Sequence, residues 1–471
     1  AGEDLRAKTK RQVLEMRGSR ISMVFQDPST SLNPTMRLGD QLAEVLVRHR
    51  GMDGPAAIAE GTRLLARTGI RDPAEMMRRY PHQASGGEKQ RVVIATAIAC
   101  NPDLIIFDEP TTALDIVTAR QFLDLFTRLR EETGVASLYI SHDLGLVSRI
   151  ADEVAVIHQG EIVERGACAD IFRAPQRAYT RALLAAVPDP RHRIATQAPD
   201  PATPPLLTLE KVNVRYGEQS ALMRLLRPGQ KVVQGAIDVS FGVRPGELLG
   251  VVGESGSGKS TIAKVLAGLQ DFSGAVTFDG RRYERRRAFD RAYRRAVQIV
   301  FQHPDGSLNP RQTVATILSR PLKLFVTIPP DQIRARIAAL LARVRLPAEF
   351  AERYPHQLSG GEKQRVAIAR AFAAEPRLVI CDEVTSSLDV SVQASVAELL
   401  VELQRETGTA CVFITHDLNL VRQLAHRIAV MQHGALVDLF ATEEADAPGR
   451  HPYTRTLLDA VPTLARPPLR A

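Results

Sequence analysis

The segment GESGSGKST comprises Gly253, Glu254, Ser255, Gly256, Ser257, Gly258, Lys259, Ser260 and Thr261. It follows the apolar run LLGVV and opens the helical pattern TIAKVLAGL. Glycines at this spacing let backbone N–H groups turn inward around an anion, and the helix N-terminus adds its positive end. Lys259 then reaches the β- and γ-phosphates of a nucleotide, and the hydroxyl of Ser260 suits Mg²⁺. A plain glycine-rich turn has no need of a strand before it and a helix after it. Two acidic pairs, Asp108-Glu109 and Asp382-Glu383, each close a short apolar run. One carboxylate of such a pair can hold the Mg²⁺ shell while its neighbour polarises an attacking water. Alone, an acidic pair after a strand is more often a helix cap or a solvated turn. A phosphate loop in the same half reverses that balance. His142 and His416 each follow a strand-like run, where a γ-phosphate contact is expected, and Gln26 and Gln302 in VFQ-x-P can reach Mg²⁺ and the water. SGGEKQR occurs twice, from Ser85 and from Ser359. Ser-x-x-Glu is a capping box, but two glycines in a first turn weaken a helix. They are read as keeping backbone N–H groups open to phosphate.

These motifs come in pairs. VFQDPSTSLNP at Val24 returns as VFQHPDGSLNP at Val300, an offset of 276 residues, and RYPHQASGGEKQRV, FDEPTTALD and ISHDL return at an offset of 274. A period this long means duplicated domains. Between the copies lie six prolines in the 18 residues Pro188–Pro205, an extended linker by composition. The expected domains are therefore residues 1–187, the linker 188–205, and residues 206–471. By the same offset, the first copy's phosphate loop would precede residue 1, so the first domain is expected to be N-terminally incomplete, most simply by truncation. Short apolar runs alternate with helical patterns, which predicts an α/β fold with a mainly parallel sheet in each domain. LIIF (Leu104–Phe107), ASLYI (Ala136–Ile140), LVIC (Leu378–Cys381) and ACVFI (Ala410–Ile414) are expected as buried strands.

Composition narrows the partners. At 471 residues, 44% hydrophobic and 24% charged, the chain suits two globular α/β units. No apolar run approaches the roughly 18 residues of a spanning helix, so a role at a membrane needs other subunits to supply the membrane. The net charge of +8 comes from scattered arginine, with nine lysines among 61 basic residues. Nucleic acid or anionic lipid could exploit it, but a solvated arginine-rich surface is the plainer reading. The dense run Arg281–Arg295 lacks the interleaved aromatics of single-strand binders. The four cysteines form no C-x-x-C pair, which argues against zinc and iron–sulfur sites; two sit in apolar strand-like runs and are read as small buried hydrophobes, in a reducing compartment.

Taken together, these motifs resemble the ATP-binding-cassette (ABC) family over nearly the whole chain. The resemblance implies ATP and Mg²⁺ as cofactors. It implies Lys259 and Ser260 as the Walker A pair, Asp382 and Ser260 with Gln302 on Mg²⁺, Glu383 as the catalytic glutamate and His416 as the switch histidine. It further implies Tyr216 as the aromatic on adenine, and Ser85, Gly86, Gly87 and Asp115 as signature and D-loop groups. In this family each nucleotide lies between one Walker A and the opposite signature, so Lys259 is expected to serve with Ser85. Two departures stand out: Ala84 and Glu88 where the signature usually has Leu and Gln, and Val384 where Pro110 has its usual counterpart. HPYTRTLLDAVP at His451–Pro462, with a blurred copy at Pro175–Pro188, resembles the C-terminal segment of dipeptide, oligopeptide and nickel importer ATPases. That branch implies two transmembrane permease subunits, a solute-binding protein, and peripheral attachment at the cytoplasmic face of the inner membrane without direct contact to nucleic acid. A cassette ATPase working on nucleic acid or ribosomes is the alternative. Such proteins resemble a pair joined by a long charged helical linker, or carry zinc-binding cysteine pairs, and this chain has neither.

Overall fold

The computed structural model describes residues 4–111, 115–194, 198–217, 233–326, 328–386 and 388–461. Parts of the expected FDEPTTALD segment (112–114), of the linker (195–197) and of the C-terminal signature (462 onward) fall outside them. The described chain divides into two compact units, residues 4–184 and 185–461. Most of the proline-rich segment therefore belongs with the second unit. Arg193 donates to the Ala425 carbonyl at 2.8 Å, Ile194 N–H to the Gln423 carbonyl at 3.0 Å and Gln423 Nε2 to the Asp189 carbonyl at 2.9 Å. The segment is laid along that unit's surface rather than held away from it.

In the first unit, β1 (Ile21–Val24), β2 (Leu104–Asp108) and β3 (Ala136–Ile140) form a parallel sheet in that order. A separate antiparallel hairpin holds β4 (Glu153–His158) and β5 (Glu161–Ala167). The second unit continues with β6 (Leu207–Tyr216), β7 (Val233–Val243), β8 (Leu248–Val252), β9 (Ser273–Phe278), β10 (Arg281–Tyr283), β11 (Val297–Val300), β12 (Leu378–Asp382), β13 (Ala410–Ile414), β14 (Arg427–Gln432) and β15 (Ala435–Ala441). Its main sheet runs β11-β12-β13-β8-β14-β15, parallel except for the β14–β15 pair, and an antiparallel sheet runs β10-β9-β6-β7. Strand β8 reads LLGVV without alternation because all five residues are buried, as the centre of a parallel sheet covered on both faces requires. The helix Lys259–Leu266 and the antiparallel sheet cover one face, with Ile262, Val265, Leu207 and Val239 meeting Leu249, Val251, Val412 and Ile414 in one core.

The duplication extends to backbone detail. Glu109 and Glu383 both take a left-handed φ, of 45° and 51°, directly after β2 and β12. Both SGGE segments form complete capping boxes at the starts of the helices Gly86–Ile98 and Gly360–Phe372. Each box is worth roughly 1 kcal/mol to its helix.

The expectation of buried strands holds for LVIC and ACVFI, buried throughout, and is corrected for ASLYI. Strand β3 pairs with β2 alone among the described residues, leaving Leu138 and Ile140 exposed at 52% and 45%. Their repeat partners Val412 and Ile414 are 0% exposed, flanked in the sheet by β8 and packed in one core with the helix after it and the antiparallel sheet. LIIF is likewise only partly buried, in alternation.

Candidate active site

The chemistry-bearing residues of the second unit sit where its parallel strands end. The phosphate loop follows β8, Gln302 follows β11, Asp382 ends β12 with Glu383 next, and His416 lies just beyond β13. In-register pairing of Cys381 with Phe413 and of Phe413 with Gly250 lines these ends up on one edge, the usual ligand edge of an open α/β sheet.

The loop is already shaped. Gly253 and Gly258 take φ of 150° and 101°, and a Cβ on either would strike the backbone, at the Met431 and Gly235 carbonyls respectively. Lys259 is 5% exposed and folds back, its ammonium donating to the Gly253 and Glu254 carbonyls at 2.8 and 2.7 Å and to Ser257 Oγ at 3.3 Å. Ser260 Oγ donates to Asp382 Oδ1 at 3.0 Å, which joins the helix start to the end of β12. Tyr216 closes β6, and its hydroxyl lies 3.1 Å from Thr261 Oγ1, so the aromatic ring stands beside the loop.

Around Glu383 the side chains converge. Gln302 Nε2 donates to Glu383 Oε2 at 2.9 Å, and His416 Nδ1 is 3.9 Å from the same oxygen. Gln302 also reaches Ser386 Oγ at 3.2 Å, and that hydroxyl donates to the Glu383 carbonyl at 3.0 Å. The left-handed backbone at Glu383, stabilised by its N–H bond to the Ile414 carbonyl at 2.9 Å, is strain of the kind held at working sites. The first unit repeats the cluster: Gln26 Nε2 donates to Glu109 Oε2 at 2.9 Å, and His142 Nδ1 lies 3.2 Å from Glu109 Oε1. Ser85 caps its helix in that unit, Gly86 begins it, and Asp115 caps the helix Ile116–Thr133.

The Asp382–Ser260 corner fits Mg²⁺. Its donors are a carboxylate and a hydroxyl, with the Gln302 amide nearby, all hard oxygen chemistry. Among the described residues no cluster of three or more His, Cys, Asp or Glu could hold a metal by itself. Burial, aided by the adjacent Glu383 charge, pushes the Asp382 carboxyl above the usual carboxylate range, against the Ser260 hydrogen bond and the charges of Lys264 and Lys259. A carboxyl whose folded pKa is raised costs stability once pH exceeds its unfolded value. Asp382→Asn is therefore expected to raise the melting temperature of the nucleotide-free protein at neutral pH while removing Mg²⁺-dependent turnover. A lowered melting temperature in thermal unfolding would contradict it.

Comparison with known proteins then decides the family. The family described as "ABC transporter" matches residues 2–112 and 237–386. The chain belongs to the ABC transporter family. The family "Oligopeptide/dipeptide transporter, C-terminal region" matches residues 163–211 and 446–470 of this ABC chain. The glutathione import ATP-binding protein GsiA of Pectobacterium atrosepticum is 42% identical over 98% of the chain and 77% of its own length. Its counterpart in Salmonella paratyphi A is 40% identical over 98% of the chain and 79% of its length. Among solved structures, the ATP-binding cassette MJ0796 bound to ADP and Pi is 29% identical, covering 50% of this chain and 98% of that one with a TM-score of 0.43.

Three features of the ABC site escaped the sequence. Ser386 stands in a repeated SSLD/TALD segment but carries no signal until Gln302 is seen beside it. Gln393 Nε2 donates to the half-buried Asp417 at 3.2 Å, tying the helix Val390–Thr407 to the residue after His416, whereas the first copy has Ala119 there. Gly361 has a packing reason as well as any role toward phosphate: a Cβ there would come within 2.6 Å of Val392.

Proposed function

We propose that this chain energises uptake of glutathione or a short peptide, using ATP bound at the second unit's phosphate loop. The chain is an ABC import ATPase of the peptide-related branch. The observation that carries the site assignment is the meeting of Lys259, Ser260, Asp382, Gln302, Glu383 and His416 at one sheet edge. Lys259 leaves its carbonyl partners to neutralise the β- and γ-phosphates. Glu383 accepts a proton from the attacking water while Gln302 and His416 orient water and γ-phosphate. When bound, Mg²⁺ at Ser260 and Asp382 supplies charge stabilisation to the phosphates. Tyr216 stacks on adenine, and Ser85, Gly86, Gly87 and Asp115 are the first unit's own signature and D-loop groups. The cargo class rests on the relatives named for glutathione import.

No helix among the described residues is long and apolar enough to cross a membrane, so permease partners provide the path. We place the chain at the cytoplasmic face, docked on two permease subunits that a solute-binding protein supplies. The docking surfaces are the turns after the glutamines, Asp27–Pro34 and His303–Pro310. The second is braced to the signature helix by the Lys363–Asp305 pair at 2.7 Å, a link from permease contact toward the nucleotide machinery. Cysteines placed at Thr30 or Gly306 are expected to cross-link to permease subunits in the assembled importer, and labelled glutathione is expected to enter vesicles only with ATP inside the chain's compartment. Unlinked cysteines would sink the docking assignment, and ATP-dependent uptake of a solute that is neither glutathione nor a short peptide would sink the cargo.

A further inference from the structure

The HPYT segment marks a branch of the family, but its sequence shows no chemistry. In the structure every letter has a task. His451 Nδ1 accepts the Tyr453 N–H at 3.2 Å, and Pro452 occupies the first position of the helix Pro452–Ala460, where an N–H would have no helical partner. Thr454 Oγ1 donates to Asp438 Oδ2 at 3.0 Å, and the same carboxylate accepts the His451 N–H at 3.1 Å and Arg450 Nη1 at 3.3 Å. His451 and Thr454, with Arg450 beside them, thus pin the helix start to Asp438 of β15.

What they hold in place is Tyr453, a buried ring whose hydroxyl accepts the backbone N–H of Glu254 at 2.9 Å. Glu254 is the second residue of the phosphate loop. Its N–H belongs to the same peptide plane as the Gly253 carbonyl, the oxygen that receives the Lys259 ammonium at 2.8 Å. Peptide planes are rigid, so fixing the N–H side aims the carbonyl side. The next carbonyl, of Glu254, accepts both Lys259 at 2.7 Å and the Ser257 N–H at 3.1 Å. The internal copy shows the contrast. Tyr179, the equivalent residue of the first unit, stacks on His158 at 4.0 Å between ring centroids, and no phosphate loop lies among that unit's described residues.

We propose that Tyr453 is a positioning residue for the phosphate loop, setting the Gly253–Glu254 peptide so that Lys259 and the cradle are preformed before nucleotide arrives. The C-terminal segment is then a working part of the nucleotide site. This rests on the assignment of that loop as the ATP site. A preformed cradle lowers the ordering cost of binding, so its loss falls on affinity and not on the chemical step.

Tyr453→Phe keeps the ring and deletes the accepting oxygen. Isothermal titration with ATP and with ADP is expected to show both dissociation constants rising together, about 3- to 10-fold for one hydrogen bond. KM for ATP should rise alike, with kcat at saturation unchanged. Tyr179→Phe, the matching change in the first unit, is expected to leave all of these as they were. Equal losses in the two variants, unchanged nucleotide affinity in Tyr453→Phe, or a fall in kcat alone would each overturn the proposal. Lys259→Ala separates the two layers: if it binds ATP normally, the site assignment itself fails and takes the proposal with it. If Lys259→Ala loses ATP while Tyr453→Phe does not, the positioning role alone fails.

Discussion

Replacing Glu383 by glutamine is expected to leave ATP bound and to slow hydrolysis about 10²- to 10⁴-fold, the range a positioned general base contributes. The amide preserves volume and can still meet Gln302, now by turning its carbonyl toward Nε2, so the 2.9 Å contact has a substitute and the loop after β12 keeps its shape. What it cannot do is take a proton from water. The neighbouring His416, 3.9 Å from the carboxylate, is expected not to rescue the loss. Equilibrium binding of ATP together with phosphate release measures both halves of the expectation. Turnover at the parent rate, or lost ATP binding, would refute the role assigned to Glu383. Glu109→Gln, in the matching cluster of the first unit, provides an internal comparison of how far the two clusters share the work.

The opposite pattern is expected for Lys259→Ala, in which binding itself fails. Charged hydrogen bonds are worth about 1.5–3 kcal/mol each in net terms, so removing the ammonium should weaken ATP by at least roughly 10- to 100-fold. The truncation also deprives the Gly253 and Glu254 carbonyls and Ser257 of a buried donor, so the apo protein should melt slightly lower. The sharper reading is the ligand shift: ATP raises the melting temperature of a protein that binds it in the folded state alone. That rise should vanish in the variant. A full ATP-induced shift in Lys259→Ala would show that the loop is not the phosphate site.

The α/β class, the duplication and the order of the motifs were legible because each has a local pattern. LLGVV before GESGSGKST is a buried strand feeding a glycine-bounded loop, and Gly253 and Gly258 prove to be positions where any Cβ meets backbone. The clustering of Gln302, Glu383 and His416 followed from each one ending a strand-like run, since parallel strands bring their C-terminal ends to one edge. What could not be read were contacts made across long sequence separation by residues of ordinary type. Ser386 beside Gln302 and Gln393 on Asp417 depend on how helices lie over strand ends. Tyr453 on Glu254 joins residues 199 apart through a hydroxyl and a backbone N–H, neither of which leaves a spacing signal. The arginine run was legible as charge but not as structure: Arg281 pairs with Asp290 and Arg286 with Asp271, while Arg282 lies between Glu210 and Glu284. ASLYI was misjudged for a different reason. An apolar run states what a strand would prefer to bury, and the neighbours that would bury it are not written in it.

That last strand has a consequence for the behaviour of the molecule in solution. Met23, Leu138 and Ile140 lie exposed on one side of a three-stranded parallel sheet, and Ile157 and Ile162 are exposed on the first unit's separate hairpin at 63% and 62%. A β-edge of this kind is a template for strands of other chains. The first unit also buries less apolar surface per strand than its twin, so its amide protons should open to solvent at lower free energy than those of β13. Warming or concentrating the protein is therefore expected to promote self-association through β3 before the second unit unfolds, which light scattering followed alongside hydrogen exchange would check.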